Sequence, residues 1–245
     1  MNSFQYRIRR FLYQEFIPVT KTVVVLSAGV SALYYLFLLF NVNLRSFVEL
    51  VAVNCWNTPW TLLTYPILNP DLLSLLLEAL WLWFVGGSLE RSWGSKKFAV
   101  FLLSAVGITG LVMTLTELFL VPGGIGLPVG GLLLPLVAIT WAWSVLYPSQ
   151  EMLLFGIIPI RARWTAWLTA VLAVYPYLFI AANAHSFAWL VGIASLSGIP
   201  VAYLFISDRF SGRRSLRRRN PGVISKSRFE SAQGKSNRKR FRVIK

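Results

Sequence analysis

The chain has 245 residues, of which 56% are hydrophobic and only 13% charged, with a formal net charge of +15 and a mean hydropathy of +0.62. A soluble globular domain carries about a quarter charged residues, so that class is excluded. The single cysteine, Cys55, excludes an internal disulfide framework.

Residues 1–21 form a basic lead-in with Arg7, Arg9, Arg10 and Lys21. Crossing the hydrocarbon core takes about 20 apolar residues. Thr22–Val42 meets that length as a first span, too long and too late for a cleaved signal, and reads as retained. Asn43–Pro70 is mixed, with Arg45, Glu49 and the cluster Trp56-Asn57-Thr58-Pro59-Trp60, and reads as an interfacial loop with short helical pieces. Asp71–Gly87 is predicted as a second, shorter span, Phe98–Phe119 as a third and Gly130–Leu146 as a fourth. Trp164–Ile180 is the fifth and His185–Ile206 the sixth. The expected fold is all-α: a basic arm over 1–21, a six-helix membrane domain over 22–206, and a tail over 207–245 too polar to fold alone.

The charges orient this arrangement. Lys and Arg concentrate in the arm, in the Glu90–Lys97 loop, in the Glu151–Arg163 loop and in the tail, whose fourteen basic residues stand against Asp208 and Glu230. The opposite loops hold Arg45 with Glu49, Asp71 and Glu117. By the positive-inside rule both termini are expected in the cytoplasm. The compact, loop-poor design fits a bacterial or organellar inner membrane. The tail over residues 209–245 suits three roles: enforcing orientation, meeting anionic lipid head groups, or meeting RNA phosphates. Its three phenylalanines, Phe210, Phe229 and Phe241, are too sparse for base stacking.

Glu78 and His185, the latter the only histidine, are ionisable residues set within apolar spans. A charge at membrane depth is costly and faces a partner inside the bundle. Two polar groups do not line an ion path, which disfavours a channel or transporter. No residue set suggests a metal or an organic cofactor.

Four segments, taken in order, resemble the rhomboid family of intramembrane serine proteases. The loop leading from Pro59-Trp60 into Asn69-Pro70-Asp71 is the first, and Trp60 is its marker residue. Gly86, Glu90 and Gly94 follow the family's Gly-x-x-x-Glu-x-x-x-Gly pattern. Leu154–Trp164 resembles the lead-in to the family's fifth helix, and Ala184-His185 with Gly192 resembles its sixth. The resemblance covers roughly residues 55–207 and implies a six-helix protease fold with a serine at the head of helix four, activated by the sixth-helix histidine.

Against that pattern the catalytic positions are altered. In Gly126-Leu127-Pro128-Val129-Gly130-Gly131, the place of the family's serine falls on Val129, and a shift of one residue gives Pro128 or Gly130. Asn69 and Ser74 stand where the family has histidines, and Glu78 where it has the asparagine that helps hold the oxyanion. A tetrahedral intermediate needs a nucleophile and free preorganised donors. An ionised Glu78 would repel the developing charge, and His185 would have nothing to activate. Gly86, Glu90, Gly94, Gly130, Gly131 and Gly192 read as packing and loop residues, with Glu90 tying a loop through backbone donors. Glu78 and His185 are expected within reach of each other or of one bridging water.

The resemblance to inactive rhomboids and derlins therefore implies a rhomboid-like protein that binds membrane lipids and transmembrane client segments, or aids assembly of a membrane complex. The alternative is an active protease with an atypical nucleophile, for which Ser186, Ser74 and the deeper Thr140 are the candidates.

Overall fold

The computed structural model of the protein describes residues 17–40, 45–121, 126, 128–154, 158–183 and 187–207. Helix α1, Pro18–Leu39, opens on a proline in its first turn, where the missing N–H costs no intrahelical bond. Its buried residues are Thr20, Ser27, Ser31 and Tyr34, spaced along one stripe. Val25, Leu26, Leu33 and Leu36 lie exposed on the remainder. In a bilayer that surface meets lipid, and the small polar stripe is what lets the helix approach its neighbours. The interfacial segment follows, with α2 over Arg45–Val48, one tight turn at Ala52–Asn54 and α3 over Thr61–Thr64.

Helix α4 runs Leu72–Trp93. Asp71 caps it by accepting the Ser74 amide at 2.8 Å. A widened stretch at Leu82–Gly86 adds a residue to the turn. The helix outlasts its expected end at Gly87 because the amphipathic Ser88–Trp93 turn continues it. Gly94, with φ +83°, stops it and turns the chain into α5, Ser95–Leu120. That left-handed backbone favours glycine. Glu117 lies buried within α5, inside the expected third span and not in a loop.

Helix α6, Leu133–Leu146, begins three residues later than the span expected from Gly130. Gly131 has φ +91°, which an α-helix cannot include. A hairpin of β1, Glu151–Leu154, and β2, Ile158–Arg161, follows, with Glu151 paired opposite Arg161. Among the described residues it is the one addition to the expected all-α fold. Helix α7, Ala162–Asn183, contains Pro176, and α8, Ala188–Ser207, completes the described chain.

Among the described residues, five helices (α1, α4, α5, α7 and α8) are long and apolar enough to cross a membrane. Helix α6 is the sixth and differs in kind. Its 14 residues span about 21 Å at 1.5 Å each, against a hydrocarbon core of about 30 Å. It is also the most enclosed: Leu134–Thr140 are all buried. Helices α4, α5, α7 and α8 all pack against it. Helices α4 and α7 flank it without packing extensively on each other among the described residues.

One end of the bundle is tied by polar contacts. Glu90 of α4 holds the first turn of α1. Lys97 of α5 donates to the Phe205 carbonyl of α8 at 3.2 Å. The Trp93, Phe101 and Phe205 rings pack around that point, with the Phe101 centroid 5.1 Å from Trp93 and 5.4 Å from Phe205. The starts of α1 and α5 and the ends of α4 and α8 therefore share one end.

Candidate functional site

A helix that begins beneath the bilayer surface presents bare amides where water is scarce, and the protein itself must satisfy them. The segment leading into α6 solves this residue by residue. Val129 donates to the Leu50 carbonyl at 2.8 Å and accepts from the Leu50 amide at 2.9 Å, an isolated antiparallel bridge. Gly131 donates to the Tyr65 carbonyl at 3.1 Å. Leu132 donates to Glu78 Oε2 at 2.7 Å, and the Leu133 amide is hydrogen-bonded to the same carboxylate.

Glu78 also accepts from Asn69 Nδ2 at 2.6 Å. Asn69 is 2% exposed and donates its own backbone N–H to Ser31 Oγ on α1 at 3.0 Å. A relay thus runs from α1 through the interfacial segment to α4 and the head of α6. Glycine at 131 is required for it, since a Cβ there would lie 2.7 Å from Asn69 Oδ1 and 3.2 Å from Glu78 Oε2. At Gly130 a Cβ would lie 3.0 Å from the Leu68 carbonyl and 3.2 Å from Glu49 Cγ.

Glu49 closes the other flank of this segment. It is buried, and its Oε1 lies 3.5 Å from Arg45 Nε while Oε2 has no hydrogen-bond partner. Burial pushes its carboxyl above the usual glutamate range, and the Arg45 guanidinium offsets part of that rise.

The structure brings Val129, Gly130, Gly131 and Glu78 together, along with Asn69. His185 and Ser186 lie outside the described residues, as does the expected approach of Glu78 to His185. Of the other candidate nucleophiles, Ser74 is engaged in capping, its Oγ donating to Asp71 Oδ2 at 2.7 Å. That bond and the Ser74 amide hold the Asp71 carboxyl below the usual carboxylate range. Thr140 is fully buried and accepts the Trp81 indole N–H at 2.9 Å, joining α6 to α4. Both hydroxyls are thus engaged in hydrogen bonds that cap or join helices.

The remaining motif residues lie apart from this site. Glu90 accepts three hydrogen bonds from the first turn of α1: Val19 N at 2.9 Å, Thr20 N at 2.8 Å and Thr20 Oγ1 at 2.8 Å. Its backbone partners are thus helix amides rather than loop amides. Gly86 sits in the widened stretch of α4 against Leu82 and Phe98, and Gly192 faces Val174 and Tyr177 of α7. Trp60 is half exposed and donates to the Phe47 carbonyl at 3.0 Å.

Sequence reasoning identifies Glu78 as a buried-type charge needing a partner but does not name the α6 amides among its partners. It missed the Leu50–Val129 bridge, the Ser31–Asn69 contact and the bond from the Gly126 amide to Glu117 Oε1 at 2.6 Å. Backbone amides carry no mark in the sequence, so only the three-dimensional approach of these segments reveals them as partners.

Comparison with known proteins places these features in a family. The model described as Eukaryotic integral membrane protein (DUF1751) matches residues 22–214. The chain is also similar to the rhomboid protease GlpG of Salmonella paratyphi A and to that of Salmonella newport. In each case it is 26% identical over 141 residues, which is 55% of this chain and 46% of the relative. The chain therefore spans about half the length of the curated relatives it matches. With most of its length inside the family match, and with five membrane-length helices and a shorter apolar one among the described residues, this multi-pass membrane protein belongs to the DUF1751 family of eukaryotic integral membrane proteins, a rhomboid-like family.

Proposed function

We propose that this rhomboid-like protein lacks proteolytic activity and instead binds transmembrane segments of client proteins or aids assembly of membrane complexes. The observation that carries the reading is the occupied head of α6. Oxyanion stabilisation needs donors aimed at an open position. Here the Leu132 and Leu133 amides and Asn69 Nδ2 are spent on the Glu78 carboxylate. The adjoining Val129 carries no hydroxyl, and its own amide is paired with Leu50.

Client binding is supported by the two flanking helices. Leu73, Leu76 and Leu80 on α4, and Trp167, Val171 and Phe179 on α7, are exposed on helices that share α6 and, among the described residues, do not pack extensively on each other. Such an opening suits a passing apolar helix with small or polar residues on one face. Both termini are read as cytoplasmic. In support, residues 18–21 and Phe205 lie at one end, which also carries Arg91, Lys96 and Lys97. The basic segment 209–245, rich in charge and poor in aromatics, suits anionic lipid head groups better than RNA bases.

Two measurements test this. In proteoliposomes with model transmembrane substrates, the wild type and Val129→Ser are both expected to give no cleavage and no labelling by a fluorophosphonate. Labelling that disappears in Ser186→Ala would overturn the proposal. A photo-crosslinker at Leu76 or Trp167 is expected to trap membrane-spanning segments of other proteins. Adducts with lipid alone would remove the client-binding role.

A further inference from the structure

The contacts of Glu78 describe more than a substituted catalytic position. Its carboxylate is held as a ligand is held. One oxygen receives a side-chain N–H from Asn69 at 2.6 Å and a backbone N–H from Leu132 at 2.7 Å, with Leu133 as a further backbone donor. All three donors come from segments other than α4, which carries the acid. They sit at the positive end of a 14-residue helix, where an anion is favoured by the exposed N–H groups and the axial dipole together.

A second observation marks the place as built rather than incidental. Asn69 is almost fully buried, its side-chain amide donates to Glu78, and its backbone N–H is held by Ser31 Oγ. The donor is thus held by α1 as well as by the acid. Gly131 is the third component. Any Cβ there would intrude on both Asn69 Oδ1 and Glu78 Oε2, so the glycine keeps the space that the acid fills.

The geometry points to a carboxylate-binding site at the head of α6, formed by Asn69 with the Leu132 and Leu133 amides and filled from within by Glu78 as a tethered ligand. The ligand class is a small planar carboxylate. Glu78 is partly exposed, and an anion as small as formate suits the space that a truncated side chain would leave. The inference shares its residues with the non-proteolytic reading, but its readout is stability and anion dependence. Failure of one is therefore visible separately from failure of the other.

The test is chemical rescue in the full-length protein. Thermal unfolding, followed by tryptophan fluorescence in detergent micelles, is measured for the wild type, Glu78→Ala and Glu78→Gln. Each is taken in sodium chloride and in sodium formate at equal ionic strength and neutral pH. Glu78→Ala is expected to melt well below the wild type, and formate to recover about half or more of the lost melting temperature through binding to the folded state alone. Formate leaves the wild type and Glu78→Gln unmoved, because their side chains fill the space. No loss in Glu78→Ala, or a formate effect equal in all three proteins, would overturn the site.

Should Glu78→Ala not purify in an intact form, Asn69→Ala and Glu78→Gln decide the matter. Partners in one site give a double variant that melts little below the worse single variant. Additive losses would show that the two residues act independently and that no shared site exists.

Discussion

Glu90 shows how much one carboxylate does when every oxygen is used. It is 1% exposed and accepts three hydrogen bonds from the first turn of α1, where no side chain of α1 itself acts as the cap. Replacing it by alanine leaves buried donors unpaired, each of which costs about 1–3 kcal/mol. Glu90→Ala is therefore expected to destabilise the protein by about 3 kcal/mol or more, with Glu90→Gln milder, as measured by denaturant titration in micelles. Glu49 makes a prediction of opposite character. Its carboxyl is raised by burial against the pull of Arg45, so the folded protein holds a proton there that the unfolded chain has already released. Stability then falls as pH rises from the ordinary glutamate value toward the raised one, and is level above it. Melting temperatures of the wild type and Glu49→Gln, compared across that window, are expected to diverge as pH rises, with the wild type declining and the variant flat. The motif pattern exposed Glu90 in the sequence, because its spacing to Gly86 and Gly94 is local. Glu49 lay in a mixed loop whose burial depends on Gly130, some eighty residues away.

Among the elements, α6 departs most from what hydropathy implies. The apolar run from Gly130 to Leu146 reads as a simple span, yet the backbone turns left-handed at Gly131 and the helix is shorter than the hydrocarbon is thick. Composition registers only the transfer energy of the side chains, and a left-handed glycine carries none. Gly131→Ala would place a methyl 2.7 Å from Asn69 Oδ1 at a disfavoured φ. A loss of about 2 kcal/mol or more is expected, seen as a lowered thermal midpoint. The same blindness explains α4. Its charged last turn, Glu90 and Arg91, lowers the local hydropathy, and the sequence reading ended the span at Gly87. The helix continues with Glu90 buried and hydrogen-bonded by donors from α1. The five long helices were legible because a continuous apolar run of that length has few other solutions. The β1–β2 hairpin was not, since its eight strand residues carry no alternation strong enough to separate them from a loop.

At the scale of the molecule, charge and hydropathy are segregated. Residues 209–245 hold the greater part of the net charge, while the described helices hold few ionisable groups, most of them paired or capping. On the proposed orientation, that segment faces the negative surface of the cytoplasmic leaflet at about 1 kcal/mol per basic residue near the surface. Replacing Arg217, Arg218 and Arg219 by glutamine is expected to weaken association of the detergent-solubilised protein with phosphatidylserine vesicles. The salt dependence should become shallower too, and flotation at two ionic strengths measures both. Equal binding by the variant would separate the segment from lipid recognition. The architecture as a whole could be read because four short motifs occurred in the order of one known family. The interior of its altered site could not, because its donors are peptide groups common to every residue.

The bond from Lys97 to the Phe205 carbonyl joins positions 108 residues apart and fastens the last turn of α8 beneath the Trp93, Phe101 and Phe205 rings. During synthesis the ammonium of Lys97 is in place long before its acceptor emerges. The hairpin of α4 and α5 must therefore wait, with an open aromatic slot, until the final segment is inserted. Biogenesis should thus have a late latching step, and nascent chains released before Phe205 should show that slot to membrane quality control.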